Sequence, residues 1–97
     1  MPHSYWVYMV TDKPYGTLYI GVTNNLARRT DEHASGKFVG FTKRYSLKQL
    51  VYYEEYQQVD EAITREKKLK KWRRAWKLDL IKGFNPEWRD LGKELHK

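Results

Sequence analysis

Apolar residues recur along the chain with two different periods, and these periods predict strands and helices. Three segments are rich in β-branched and aromatic residues and end at turn-forming residues, which is typical of β-strands. Two other segments carry their apolar residues at helical spacing, which is typical of amphipathic helices. The predicted strands span residues 5–10, 17–22 and 49–55, and the predicted helices span residues 26–34 and 61–82.

The order of these elements predicts an α/β fold of the α+β sandwich type. Pro14 and Gly16 mark a turn, so the first two strands are expected to form an antiparallel hairpin. The third strand and the helices then complete a three-stranded, mainly antiparallel sheet flanked by helices, and a short helical tail follows. With 97 residues, the chain is predicted to form a single domain over residues 1–97.

The composition narrows the classes of protein to which the chain could belong. It contains no cysteine, which excludes disulfides and thiolate metal sites. No apolar run approaches the roughly 20 residues that span a bilayer, and the first residues lack the features of a signal peptide. We therefore expect a cytoplasmic protein with no membrane partner. The formal net charge of +7 indicates a polyanionic partner such as nucleic acid.

Several enzyme classes are excluded because their motifs are missing from the sequence. There is no glycine-rich phosphate-binding loop with its lysine, which argues against a nucleoside triphosphatase. There is no serine nucleophile elbow. The three histidines lie too far apart in sequence to indicate a zinc motif.

The first predicted helix carries a candidate catalytic pair. Arg29 and His33 lie one turn apart on the same face, where protonation of the histidine would repel the guanidinium. Arg29 could be a solvated surface residue, or it could point with His33 toward the hairpin that precedes the helix. Arg28, by contrast, lies four residues before Glu32 and is predicted to form a surface ion pair with it. Four residues share the first face: Leu26, Arg29, Thr30 and His33.

Two tyrosines of the hairpin are further candidates. Tyr8 lies on the first strand and Tyr19 on the second, and the two could pair across the hairpin. Gly21 brings bare backbone close to whatever packs there. Tyrosines at half-buried strand positions commonly serve the core, so both a packing role and a chemical role stay open for each of them.

Glu66 interrupts the apolar stripe of the second predicted helix. A carboxylate on such a stripe destabilises the fold unless it is paired or binds a cation. Glu66 could therefore form a buried ion pair, with Arg73 or Arg29, or it could be a metal ligand that faces the sheet. The stripe is formed by Ala62, Leu69, Trp76 and Leu80.

The same helix is strongly basic, with seven lysines and arginines between positions 67 and 77. A lysine-rich helix face is often merely solvated, but this density of cations favours contact with a phosphate backbone. The loop that precedes the third strand adds further cations between aromatic residues. The predicted nucleic-acid-binding residues are Lys43, Arg44, Lys67, Lys70, Lys71 and Arg74.

The spacing of these candidates resembles that of the GIY-YIG nuclease superfamily. Tyr19-Ile20-Gly21 forms the second motif, and the segments around Arg29 and Glu66 are similar to those of small stand-alone bacterial members. In the first motif, Trp6 and Val7 replace the usual glycine and isoleucine. The resemblance covers about residues 5–91. The matching site residues are Tyr8, Tyr19, Arg29, His33, Glu66 and Asn85.

The resemblance implies a metal-dependent endonuclease that hydrolyses phosphodiester bonds, with DNA favoured over RNA. Glu66 would hold one divalent cation, Mg²⁺ or Mn²⁺, since Mg²⁺ keeps most of its waters and needs few protein ligands. Either tyrosine would activate the attacking water, and His33 would position it or relay protons. Arg29 would stabilise the charge of the transition state. Asn85 would hold in place the residues that surround the catalytic groups.

A second possibility is a nucleic-acid-binding module with little activity of its own. In the repair and homing endonucleases of the superfamily, separate domains supply DNA targeting. We therefore expect that a protein partner could supply targeting to this chain.

Overall fold

A computed structural model describes residues 3–37, 40 and 44–95 of the chain. It confirms all three predicted strands to within one residue at each end, and it confirms the first helix. The elements are β1 (Tyr5–Thr11), β2 (Leu18–Thr23), α1 (Leu26–Ala34), β3 (Gln49–Tyr56), α2 (Val59–Lys71), α3 (Arg74–Phe84) and α4 (Leu91–Leu95).

The three strands form one antiparallel sheet in the order β2-β1-β3. The central strand β1 is covered on both faces, and its residues from Val7 to Thr11 are all buried. Because side chains alternate along a strand, Val7 and Met9 enter one core cluster, while Tyr8 and Val10 enter the other. The predicted three-stranded sheet flanked by helices is confirmed.

Each face of the sheet is covered by different helices. On one face, Ala62 and Leu69 of α2 and Ile81 of α3 pack against Val7 and Met9. On the other face, Leu26 of α1 and Leu91, the first residue of α4, pack with Tyr8 and Val10. The sheet is therefore the middle layer of three. Within the described part of the chain, no helix is long and apolar enough to cross a membrane.

The second predicted helix is in fact two helices, so the prediction of one helix over residues 61–82 is wrong. Trp72 and Arg73 have extended backbone, with φ/ψ of −66°/150° and −60°/148°. The main-chain N–H of Trp72 bonds to the carbonyl of Leu69 at 3.1 Å, and α3 restarts with bonds to the carbonyl of Arg73. The predicted apolar stripe is interrupted at this break: Ala62 and Leu69 are buried and Leu80 packs against the same core, but Trp76 is 50% exposed.

Asn85 closes the fold between α3 and the C-terminal segment. The pairing of β1 with β3 passes from Met9–Tyr52 to Val10–Leu50, which makes Val51 the extra residue of a β-bulge. The Asn85 amide nitrogen donates to the carbonyl of Val51 at 3.2 Å and to that of Arg89 at 2.9 Å. Its amide oxygen accepts from the N–H of Arg89 at 3.1 Å. Asn85 is 2% exposed and satisfies main-chain groups of two segments.

We expect Asn85→Ala to lower the free energy of unfolding by about 2–4 kcal/mol, because it deletes three hydrogen bonds and leaves buried main-chain groups unsatisfied. Urea unfolding followed by circular dichroism measures the change. Asn24→Ala is the matched control, since Asn24 is exposed and its substitution should change stability by no more than about 0.5 kcal/mol. Equal stability of the two variants would contradict this role of Asn85.

Candidate active site

Tyr8 lies directly across the sheet from Gly21, and the tyrosine ring occupies the space above the glycine. The two residues are partners in the pairing of β1 with β2. A Cβ at position 21 would lie 2.6 Å from the Tyr8 hydroxyl oxygen and 2.7 Å from the ring carbon that bears it. Only glycine leaves room for the ring here, and this steric constraint explains why the second strand needs glycine at that position.

The Tyr8 hydroxyl is hydrogen-bonded to His33 inside the protein. The distance from Tyr8 Oη to His33 Nε2 is 3.0 Å, and both residues are buried. Tyr19 completes a cluster of three rings, with centroids 6.3 Å from Tyr8 and 5.9 Å from His33. The structure thus brings together a strand tyrosine from each arm of the hairpin and the histidine of α1.

Helix α1 is positioned so that Arg29 reaches the same cluster. The helix begins after Asn25, whose side chain accepts a hydrogen bond from the N–H of Arg28 at 3.0 Å, as is typical of an N-cap. Arg29 is near enough to the Tyr8 hydroxyl to form a hydrogen bond with it. Its Nε also donates to Glu32 at 3.1 Å. The predicted pairing of Arg28 with Glu32 is therefore wrong, because the i, i+3 neighbour takes the carboxylate.

Burial keeps the two central groups uncharged. Removal from water raises the pKa of Tyr8 to about 12, although the hydrogen bond from Arg29 opposes the rise. Burial also lowers the pKa of His33 to about 4, and the nearby positive charge of Arg29 lowers it further. At neutral pH, His33 is therefore a neutral imidazole, with one ring nitrogen that can accept a proton. In the tautomer whose Nε2 accepts, Tyr8 donates its proton to His33.

The two tyrosines differ in their access to solvent. Tyr8 is 0% exposed, whereas Tyr19 is only partly buried. Next to Arg29, a hollow of about 280 Å³ opens at the end of the sheet. Its lining includes Tyr5, Thr23 and Asn24, which the sequence did not single out because no motif marks them. A ligand arriving from solvent thus reaches Tyr19 and Arg29 more readily than Tyr8.

Glu66 lies on α2, which packs on the face of the sheet opposite to the tyrosine–histidine cluster. Only 15% of its side chain is exposed, and the carboxylate lies 3.1 Å from the ammonium group of Lys70. The sequence offered Arg73 or Arg29 as the partner of Glu66, but the ion pair is formed with Lys70 instead. Lys70 is half exposed, so this carboxylate stays within reach of solvent and ions.

The donor set fits a hydrated divalent cation better than a closed metal site. Within the described residues, no group of three or more histidine, cysteine, aspartate or glutamate side chains could hold a metal ion. Mg²⁺ is commonly held by one or two carboxylates, with waters and substrate phosphates completing its coordination. Glu66 offers one such carboxylate, paired with a single flexible lysine.

The remaining predicted residues are spread over the molecule. Asn85 forms its hydrogen bonds with main-chain groups of Val51, at the bulge of β3, and of Arg89. Lys67 and Lys71 are exposed on α2. Arg74 donates to the carbonyls of Tyr15 and Gly16 in the hairpin turn, at 2.6 and 2.7 Å. Arg44 lies over the ring of Tyr45, 5.7 Å from its centroid, and Lys43 is outside the described residues.

We expect Gly21→Ala to lower stability by roughly 1–3 kcal/mol, because the added methyl group overpacks against the Tyr8 ring. The cost should shrink in a Tyr8→Leu background, which a double-mutant cycle measured by urea unfolding would detect. Gly83→Ala is the control, since nothing lies within 4 Å of its added Cβ and alanine favours a helix. A purely additive cycle would contradict the contact between Tyr8 and Gly21.

The buried histidine predicts a specific dependence of stability on pH. The pKa of His33 is about 4 in the folded protein and 6.5 in the unfolded chain, so the unfolded state binds more protons between these values. The contribution of the neutral His33 to the free energy of unfolding should be fully present above about pH 7 and should be lost as the pH drops toward 4. Urea midpoints across this range measure the loss. The His33→Gln variant should give a flatter curve, and an equally steep curve would contradict the assignment.

Comparison with known proteins identifies the family of this arrangement. Residues 4–79 match the family model described as the GIY-YIG catalytic domain. The UPF0213 protein of Syntrophus aciditrophicus (strain SB) is 43% identical over 72 residues, covering 73% of this chain and 82% of the relative. The UPF0213 protein SA0446 of Staphylococcus aureus (strain N315) is 37% identical over 79 residues, covering 81% and 95%.

A solved structure supports the same assignment. The solution NMR structure of the UPF0213 protein BH0048 from Bacillus halodurans matches with a TM-score of 0.57 and 27% identity. The match covers 93% of this chain and 95% of that one. The similarity therefore extends over nearly the whole sheet and its helices. With more than half of its length matched by the family model, the chain belongs to the GIY-YIG family of nuclease domains.

Proposed function

We propose that the protein is a metal-dependent endonuclease that hydrolyses phosphodiester bonds in DNA. The observation that carries the proposal is the buried hydrogen bond between Tyr8 and His33, formed beside Arg29 and Tyr19. A tyrosine that only fills the hydrophobic core requires neither a histidine as hydrogen-bond partner nor an arginine next to its hydroxyl. This combination is suited to holding a hydroxyl group and a cation in fixed positions next to an anionic group.

In this proposal the two tyrosines have different tasks. Tyr19, which reaches solvent, contacts and orients the attacking water. Tyr8 stays inside and is hydrogen-bonded to His33, because the raised pKa of the tyrosine and the lowered pKa of the imidazole keep the proton on Tyr8. The pair thus positions the groups around the phosphate, and orientation of this kind lowers the barrier without a proton transfer inside the cluster.

Arg29 is the group that binds the reacting phosphate. Its guanidinium is permanently charged and lies at the boundary between the buried cluster and the hollow of about 280 Å³. Glu32 accepts a hydrogen bond from Nε of Arg29, and this contact fixes the direction of the guanidinium. A donor held in place by its neighbours stabilises developing negative charge with little reorganisation.

Glu66 would hold the divalent cation, Mg²⁺ or Mn²⁺, after release of Lys70. When bound, such an ion supplies Lewis-acid stabilisation to the phosphate oxygens and lowers the pKa of a coordinated water. Asn85 supports the site indirectly, by holding the chain after α3 against β3. Cytoplasmic location and a protein partner that supplies targeting complete the proposal.

A second candidate function is nucleic-acid binding without efficient turnover. One observation favours it: the hydroxyl of Tyr8 is fully buried and its pKa is about 12, so the cluster as it stands strongly favours the protonated tyrosine. If a partner or substrate is needed to change this environment, the isolated chain would bind nucleic acid and cut it slowly.

The direct test is cleavage of branched, nicked and single-stranded DNA by the purified protein with Mg²⁺ or Mn²⁺. We expect chelation of the metal to abolish cleavage and Glu66→Gln to reduce it to background. Arg29→Ala should slow cleavage by about 10²–10³-fold, because it removes a charge placed to stabilise the transition state. The rate constants under single-turnover conditions are the measurement.

Two neighbouring residues provide matched controls. Glu61→Gln removes an exposed carboxylate from the same helix as Glu66, and Arg28→Ala removes an exposed cation next to Arg29. Both variants should cut at close to the wild-type rate. Cleavage by Glu66→Gln at the wild-type rate would refute the proposal that this protein is a metal-dependent endonuclease. Salt-dependent binding of DNA without cleavage would favour the second candidate function.

A further inference from the structure

The break between α2 and α3 turns Trp76 toward solvent. Its side chain is 50% exposed, whereas Trp88 is 4% exposed and Trp6 and Trp72 are partly buried. An exposed tryptophan presents a large, flat aromatic surface on which another ring can stack. The break that causes this exposure contains neither proline nor glycine.

The exposed ring is held in a fixed orientation. Trp72 contacts it edge to face, with centroids 6.0 Å apart and an interplanar angle of 88°. The guanidinium of Arg73 lies over one face of the Trp76 ring, 5.4 Å from its centroid, and that of Arg65 lies over the Trp72 ring, 5.1 Å from its centroid. Contacts of this kind limit the rotation of the ring while half of its surface stays open.

Cations connect this ring to the proposed metal ligand. The ammonium group of Lys77, the next residue, lies 3.5 Å from the carbonyl of Lys70. Lys70 in turn is paired with Glu66 at 3.1 Å. We call the group formed by Lys70, Arg73, Trp76 and Lys77 the tryptophan ledge. The ledge is thus continuous, through Lys70, with the carboxylate that we assign to the cation.

We propose that the tryptophan ledge binds an unpaired nucleotide of single-stranded DNA, with the base stacked on Trp76 and the phosphates next to the surrounding cations. Stacking on an aromatic ring requires an open base face, which single strands offer along their length and duplexes offer only at their ends. Positive charges around the ring match the negative charge of the strand. The ledge therefore selects substrates with single-stranded segments.

This inference deepens the proposed function, on which it rests for the statement that the bound strand is also cut. Binding itself does not depend on cleavage. The ledge lies on the helices α2 and α3, whereas Tyr8, Tyr19, Arg29 and His33 belong to the hairpin and α1. Variants of the ledge can therefore be separated from variants of the catalytic cluster.

The test measures binding of a fluorescently labelled oligo-dT strand and of a blunt duplex of equal length by fluorescence anisotropy, with chelator present. We expect wild type to prefer the single strand. Trp76→Ala should weaken binding of the single strand by about 5–100-fold, the effect typical of losing one base stacked on an aromatic ring. Trp76→Phe should restore part of the affinity, because it keeps an aromatic face.

Phe84→Ala is the matched control for this substitution. Phe84 lies at the other end of α3, is 46% exposed and packs against Tyr52 and Tyr53. It should leave binding of both nucleic acids unchanged. Lys77→Ala, which removes one cation of the ledge, should instead reduce the slope of log Kobs against log salt by about 0.7, as expected for one lost phosphate contact on a single strand. Trp76→Ala should leave that slope unchanged.

The outcomes separate this inference from the proposed function. Two results would overturn the proposal that the tryptophan ledge binds single strands, even if the protein cuts DNA. One is equal affinity for the single strand and the duplex, and the other is an equal loss of affinity in Trp76→Ala and Phe84→Ala. Tighter binding of an RNA strand would overturn the assignment to DNA, and equally tight binding of poly-glutamate would assign the surface to an acidic protein. If the single strand binds in a way that requires Trp76 but is not cut, the proposed role of the ledge would be supported and the proposed nuclease activity would fail.

Discussion

The contact of the Tyr8 ring with Gly21 is the constraint on which the rest of the site depends. Because position 21 carries no side chain, the end of the Tyr8 ring can occupy the space next to the second strand, with its hydroxyl hydrogen-bonded to His33. That position of the hydroxyl in turn determines where α1 must present its histidine and its arginine. One missing methyl group on an edge strand therefore aligns three side chains from β1 and α1.

Charge is distributed very differently on the two faces of the sheet. On the α1 face, the tyrosine and the histidine are neutral, and Arg29 supplies the positive charge next to them. On the other face, cations cluster near the end of α2 and the start of α3, around Glu66 and Trp76. A polyanion is attracted broadly by the second surface, whereas the first offers a single directed contact. In the function that we propose, this division would separate the binding of a strand from the recognition of one phosphate.

Local sequence patterns were sufficient to predict the strands, α1 and the face that carries Arg29 and His33. The helix break could not be predicted, because lysine and arginine favour a helix and neither Trp72 nor Arg73 disrupts one by itself. Glu32 could pair with a cation three or four residues earlier, and only the direction of Arg29 toward Tyr8 decides between them. The main-chain partners of Asn85 depend on a bulge in β3, which lies far away in sequence.

The strand order β2-β1-β3 bears on the sequence of events in folding. The strand β1 pairs with β2 across a short turn, whereas its pairing with β3 must close a long loop that includes α1. Closing a long loop costs more chain entropy, so the hairpin and α1 are expected to associate before β3 and the helices after it. The rings around Tyr8 belong to this early segment, and Glu66 belongs to the later one. The cluster around Tyr8 is therefore expected to form before α2 brings Glu66 onto the opposite face of the sheet.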